Sequence, residues 1–378
     1  MSTPHRPNRR RLLQLAGATL TAPAALASPV AAEPTSRVYR IGVISASIDG
    51  KPQRTNGHTW HFAHFFHPTV NQDAIAKYLD PANVAYFEHY RKRGLDHFDQ
   101  IPFADTRITH VYDADPASAA MYAEAFPGVQ VAGSVAELVK EVDAVWMGDA
   151  SGRGNDHYDL VAPGLEKGLP TFCDKPIGGT VEGTRRILKL AQERRAPLMS
   201  SSLFRHEWGM EQALRMRDSG EHGSVQYVIA SLGGGFSLPS WMIYGQHPLW
   251  TAVTLAGPGA EAISAYARGA TCHALITYPD RMPAEIWYGR PDIAAQYCST
   301  SVHFEKRSYE YTPAIAGNWG LGHHYEMFRM ADTFRKMVRT RVEPVPHREI
   351  LEVTALVHAG AKSLSEGSRM VRLAEVLG

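Results

Sequence analysis

Cysteine is scarce in this chain: Cys173, Cys272 and Cys298 are the only three among 378 residues. Three scattered thiols cannot build a disulfide scaffold, and no two of them have zinc-ribbon spacing. An excess of either charge is also missing. Lys and Arg number 39 and Asp and Glu 38, a net of +1, so there is no electrostatic footprint for nucleic acid. Past the first thirty-odd residues no apolar run reaches the roughly 20 residues of a membrane span. No internal repeat or low-complexity linker follows either. What remains is ordinary globular composition, 44% hydrophobic and 20% charged, which excludes a disordered or fibrous chain. At about 100–200 residues per domain, the length predicts two domains. Eighteen histidines are the surplus that needs a place.

Residues 1–32 read as an export signal. Arg9, Arg10 and Arg11 form a basic start, and Leu12 to Ala27 is an alanine-rich apolar stretch interrupted by Pro23. It is too short to span a bilayer comfortably. Ala25-Leu26-Ala27 and Val30-Ala31-Ala32 offer small-residue cleavage sites. The run from Asn8 to Gln14 has the form of a twin-arginine signal. The expectation is a periplasmic or secreted protein, passed folded through the twin-arginine export machinery, with no membrane span once mature.

Residues 37–203 alternate strand and helix patterns. Val38 to Ala46 is a β-branched apolar run of the kind a buried parallel strand needs. Residues 107–113, Val142 to Met147, Pro170 to Cys173 and Pro197 to Ser202 read as further strands. Helices are predicted over Pro116 to Phe126, Val135 to Lys140, 156–167 and Thr180 to Arg194. Ser134 with Glu137 has the spacing of a capping box. This alternation predicts an α/β fold with a doubly wound, Rossmann-like parallel sheet. Ligands in such sheets bind at the carboxyl ends of the strands, which singles out Ser45 to Gly50, Asp113, Asp149 to His157, Asp174 to Pro176 and Ser200 to His206.

The first turn lacks the G-x-G-x-x-G fingerprint of dinucleotide binding. It reads Ser45-Ala46-Ser47-Ile48-Asp49-Gly50, with only the third glycine position kept. Ser47 places a side chain where a pyrophosphate normally comes closest, although its hydroxyl can donate to phosphate. Asp113 closes the second strand, where a carboxylate accepts from a ribose 2′-hydroxyl and repels a 2′-phosphate. That favours NAD over NADP. Lys175 follows a buried strand and precedes Pro176, so it faces the cleft. Residues 51–105 are a long insertion with His58, His61, His64 and His67 at steps of three. Such steps precess by about 60° on a helix, so the four cannot converge on one ion, and no metal site is predicted. The interleaved Trp60, Phe62, Phe65 and Phe66 predict a helix packed beside the sheet, with one or two histidines facing ligand.

From Ser224 the pattern changes to strands separated by Gly and Pro turns: Val225 to Ala230, Ala262 to Tyr266, Ala270 to Thr277 and Ala284 to Tyr288. Few helices are predicted before Tyr325 to Arg339 and Glu349 to Glu366. Residues 204–378 therefore read as an α+β domain with an open, mainly antiparallel sheet covered on one face. An open apolar sheet face normally finds a partner, so a homo-oligomer is expected.

Residues 142–208 resemble the Gfo/Idh/MocA family of oxidoreductases. The resemblance is carried by the Val142-Asp143-Ala144-Val145 strand, His157, Glu166-Lys167-Gly168, Asp174-Lys175-Pro176 and Ser200-Ser201-Ser202-Leu203-Phe204-Arg205. It extends to the C-terminal helices and covers most of the mature chain. The resemblance implies a nicotinamide-binding Rossmann domain and an open-faced sheet domain for substrate and oligomer contacts. It implies hydride transfer at a sugar, polyol or glycoside hydroxyl, with Lys175 and His247 catalytic. The family's substrate-side D-x-x-x-H motif falls on Ile243 to His247, so its aspartate is replaced by Ile243. Cofactor contacts are expected from Ser45, Ser47, Gly50, Asp113, Asp149, His157, Asp174, Lys175 and Arg205, and substrate contacts from His58, His61, Tyr244 and His324. The sequence thus predicts an NAD(P)-dependent enzyme with a tightly bound cofactor and a small carbohydrate-like substrate. The alternatives are a redox-neutral sugar enzyme (hydrolase, lyase or epimerase) on the same scaffold, or a non-catalytic sugar-binding protein.

Overall fold

In the computed structural model the described residues are 37–45, 58–79, 81, 84, 100–149, 152–289, 299–312 and 324–378, without the side chain of His324. The signal region, Ser47, Gly50 and Cys298 lie outside them.

The first sheet has six strands: β1 (Tyr39–Ser45), β2 (Thr106–Asp113), β3 (Gln130–Val131), β4 (Ala144–Met147), β5 (Thr171–Cys173) and β6 (Leu198–Met199). Their order is β3-β2-β1-β4-β5-β6 and every pairing is parallel. That is the doubly wound dinucleotide order, whose direction of growth reverses between β1 and β4. β1 reads YRIGVIS and is buried from Ile41 onward. Gly42 lets the helix Val135–Glu141 come close, because a Cβ there would strike Leu138. Helix starts are set locally. Ser134 accepts from Glu137 N, Thr180 from Gly183 N, and Asp115 from Ala117 N ahead of Pro116. The capping box is not completed, since the Glu137 carboxylate accepts from Gly133 N instead of Ser134 N.

Among the described residues the histidine run of the insertion is not one helix. His58–His61 and Ala63–Phe66 are two single turns, followed by the helix Gln72–Tyr78. Its aromatics enter the core: Phe62 and Phe66 lie 4.7 and 5.4 Å from the Trp146 ring, which stacks on Phe172 at 4.0 Å. Phe334, from the helix His324–Thr340, meets the same indole edge-on. A C-terminal helix and the insertion thus share one aromatic core with the parallel sheet.

The second sheet has seven strands: β7 (Val225–Leu232), β8 (Ala262–Arg268), β9 (Thr271–Thr277), β10 (Ala284–Tyr288), β11 (Thr300–Phe304), β12 (Ser308–Tyr311) and β13 (Val371–Arg372). The order is β12-β11-β7-β10-β9-β8-β13, antiparallel except where β7 meets β10. Alternating burial, as in β9 and β11, gives one core face. The helices Gln246–Ala256 and His347–Ser365 cover it. Sequence reading missed Trp208–Ser219, Leu238–Tyr244 and Gln246–Ala256 as helices. The last is buried on nearly every side, so it lacks the polar stripe that marks an amphipathic helix. No helix among the described residues is long and apolar enough to cross a membrane.

Candidate active site

Lys175 lies two residues beyond β5 and is 2% exposed. Burial pushes its ammonium down to about 8, although the nearby Asp174 and Asp149 carboxylates work the other way. Its Nζ lies 3.5 Å from the carbonyl of Ile243 and 4.9 Å from the centre of the Tyr244 ring. The residue that stands where the related motif has an aspartate therefore meets the lysine through its main chain. His247, at the start of the helix Gln246–Ala256, shares a 2.6 Å hydrogen bond between Nδ1 and Ser202 Oγ and packs on Phe204. Tyr244 stacks on His247 at 6.2 Å. Lys175, Tyr244 and His247, separate in sequence, are thus neighbours. A cavity of about 140 Å³ opens beside Pro176, lined by Arg153, Asn155, Gln246, Thr354 and His358 among others.

A second group sits at the ends of β4 and β5. Asp149 accepts from Gly152 N and pairs with His157 Nε2 at 3.3 Å, both side chains being buried. Burial disfavours the His157 imidazolium, but the Asp149 bond and the Cys173 sulfur outweigh it and lift its pKa to about 10. Asp156 lies near the same pair. Asp174 is fully buried: Oδ1 accepts from Lys175 N and Oδ2 lies 2.7 Å from His58 Nδ1. A third group spans β1 and β2, where Ser45 is in register with Asp113. Asp113 Oδ1 accepts from Asp115 N, and burial raises its carboxyl above the usual range.

Not every expected contact is in these groups. Arg205 is turned away from the parallel sheet's edge: its NH1 donates to Thr254 Oγ1 at 2.6 Å and to Glu349 Oε2 at 2.7 Å. Its guanidinium ties the turn Leu203–His206 to two helices. The histidine run divides. His58 meets Asp174, and His61 is half-buried. His64 is buried with its imidazolium disfavoured to about 3, and His67 bonds the carbonyls of Ile108 and Pro127. Sequence reading did not single out Ser202 as the partner of His247. It also missed Glu207 and Glu326, a buried pair of carboxyls. Burial and mutual repulsion raise Glu207, and burial raises Glu326 to about 8. Only the packing of the helix His324–Thr340 onto the turn Leu203–His206 brings these together.

The strand order, the lysine just past β5 and the Tyr244–His247 pair beside it define a Rossmann-type cleft protein. Residues 86–202 match the family described as "Oxidoreductase family, NAD-binding Rossmann fold" (GFO_IDH_MocA). Over that stretch the chain is similar to the Gfo/Idh/MocA family. Inositol 2-dehydrogenase of Corynebacterium glutamicum is 31% identical over 137 residues, 35% of this chain and 40% of that protein. A dTDP-3,4-didehydro-2,6-dideoxy-alpha-D-glucose 3-reductase of Saccharopolyspora spinosa is 28% identical over 131 residues, 34% of this chain and 39% of that one. The chain thus spans about two fifths of the length of these curated relatives. Among solved structures, myo-inositol dehydrogenase from Lactobacillus casei in complex with NAD(H) and myo-inositol superposes with a TM-score of 0.68 at 15% identity. The superposition covers 89% of this chain and 96% of that one, and it shows a shared fold.

Proposed function

We propose that this protein is an NAD(P)-dependent oxidoreductase acting on a secondary hydroxyl of a polyol or sugar. One observation carries the reading: a lysine buried at the end of β5, its pKa held near 8, with Tyr244 against it and His247 close by. The cofactor fit rests on the strand order and on the groups at the strand ends. Asp113, beside Ser45, offers an acceptor for a ribose hydroxyl and disfavours a 2′-phosphate, which favours NAD over NADP. Asp149, Asp174 and Lys175 line the adjacent strand ends. A bound nicotinamide supplies the hydride acceptor. Lys175 Nζ takes the hydroxyl proton as the alcohol carbon gives up hydride. His247, oriented by Ser202, hydrogen-bonds the reacting oxygen. The cavity beside Pro176 has amide, guanidinium and imidazole groups suited to further hydroxyls.

The twin-arginine pattern at Asn8 to Gln14 supports export to the periplasm, and free nicotinamide is scarce there. The proposal therefore includes a tightly held cofactor, loaded before export. It also includes a homo-oligomer formed through the face of the second sheet that no described helix covers, where Tyr266 and Trp287 are exposed. The test begins with mature protein purified from the periplasm, denatured and searched by mass spectrometry for released nucleotide. NAD(H) at near-stoichiometric amounts, reduced by one of a panel of inositols and sugars, is the expected result. No released nucleotide, together with no binding of added NAD(H) or NADP(H), overturns the reading. Product formation without net reduction of the cofactor moves it to the redox-neutral class.

A further inference from the structure

The parallel sheet reverses its direction of growth between β1 and β4, and in such folds a dinucleotide crosses at that point. A glycine turn normally lets backbone amides meet the diphosphate there, and Ser45 to Gly50 is not such a turn. His58 stands at this edge. Its backbone is locked against the end of β4. Trp146 Nε1 donates to the His58 carbonyl at 3.3 Å, and Thr59 Oγ1 donates to the Gly148 carbonyl at 3.1 Å. Gly148 in turn donates to Ile44 O on β1. A Cβ on Gly148 would lie 2.6 Å from Thr59 N, so glycine at this position is what allows the approach. The side chain is fixed from the other direction, because Nδ1 is 2.7 Å from Asp174 Oδ2 at the end of β5. Among the described residues no hydrogen bond to Nε2 is seen; the side chain is 9% exposed and its ring lies edge-on to Phe62.

We propose that His58, anchored by Asp174, is a dinucleotide-binding residue that donates from Nε2 to a diphosphate oxygen, in place of a backbone amide of the missing glycine turn. This rests on the oxidoreductase reading above. The chemistry follows from the geometry. A ring whose Nδ1–H is committed to a carboxylate carries its second proton on Nε2 when cationic, and an adjacent diphosphate favours that cation. A charge-assisted bond from a fixed side chain takes the place of the neutral amide bonds that a glycine turn would give. It also gives the insertion a role: residues 58–66 carry the aromatics that seat His58 on the sheet.

Two amide substitutions separate this role from a structural one. His58→Asn keeps a donor at the Nδ1 position, and so the bond to Asp174, but has nothing at Nε2. His58→Gln places its amide at the Nε2 position. With mature full-length protein, NADH and ADP-ribose affinities are measured by calorimetry beside thermal melts. The expected result is that Asn weakens both ligands about 10- to 100-fold with an unchanged melt, while Gln recovers most of the affinity. Asn binding both ligands as tightly as wild type overturns the proposal. So does a loss of affinity with Asn that Gln does not recover. If a variant fails to fold, wild-type protein with 15N-labelled imidazoles is titrated with ADP-ribose. A shift of the His58 Nε2 resonance supports the contact, and an unmoved resonance refutes it. Wild type that binds and reduces NAD with a polyol while Asn keeps full affinity sinks only this inference. Wild type that binds neither nucleotide sinks both.

Discussion

Replacing Lys175 with methionine should stabilise the protein at neutral pH while removing the proposed polyol oxidation. The fall of the Lys175 pKa from 10.5 to about 8 means that folding disfavours its ammonium by about 3 kcal/mol at any pH below 8. Methionine fills a similar volume and removes that penalty. Against it stand the loss of the cation over the Tyr244 ring, about 0.5–2 kcal/mol, and a long contact to the Ile243 carbonyl. The net expectation is a gain of about 1–2 kcal/mol, a rise in Tm of a few degrees. The pH dependence carries a definite sign. The folded pKa lies below the unfolded one, so the wild-type penalty is full below pH 8 and fades as the pH rises towards 10.5. The variant's advantage should therefore shrink between pH 8 and pH 10.5. Calorimetric melts of both proteins at pH 7 and pH 10 measure it, and cofactor reduction with the identified polyol measures the chemistry. Activity should drop by at least about 100-fold. A Tm that falls at pH 7, or a difference that stays constant across pH, would refute the reasoning. The lysine would then be a structural cation and not one held in an unfavourable state for proton transfer.

Two further outcomes are expected. Arg205→Ala breaks the part-buried pair with Glu349 and should cost about 1–3 kcal/mol in denaturant unfolding while leaving NADH affinity intact. Lost affinity with normal stability would instead put Arg205 on the cofactor. Glu326→Gln should raise stability by on the order of 2 kcal/mol at pH 8.5 and by nothing at pH 4.5, because the folded pKa of about 8 exceeds the unfolded one. That penalty is absent below 4.5 and complete above 8, so a benefit independent of pH would count against it.

The parallel sheet was legible because its strands are buried on both faces and announce themselves as β-branched runs cut by caps such as Ser134 and Thr180. Lys175 was legible because a lysine directly after such a strand has to sit at the sheet's edge. The histidine run was less so. The aromatics interleaved with it argued for one helix, but the chain breaks at Phe62, and those aromatics choose the faces. Each histidine then takes whatever partner lies opposite, a carboxylate for His58 and two carbonyls for His67. The helix Gln246–Ala256 escaped notice because burial on all sides erases amphipathic periodicity.

Local chemistry in the sequence thus determined the order of elements, the doubly wound class and the lysine at the strand end. Hydrogen-bonding period, cap residues and burial pattern act over a few residues and need no distant partner. Only the tertiary structure decided that the Ile243 carbonyl meets Lys175, that Ser202 orients His247, and that His58 reaches Asp174 across 116 positions. Those contacts join segments far apart in sequence. They depend on how the Trp146 core and the covering helices pack, and packing is a property of all the pieces at once.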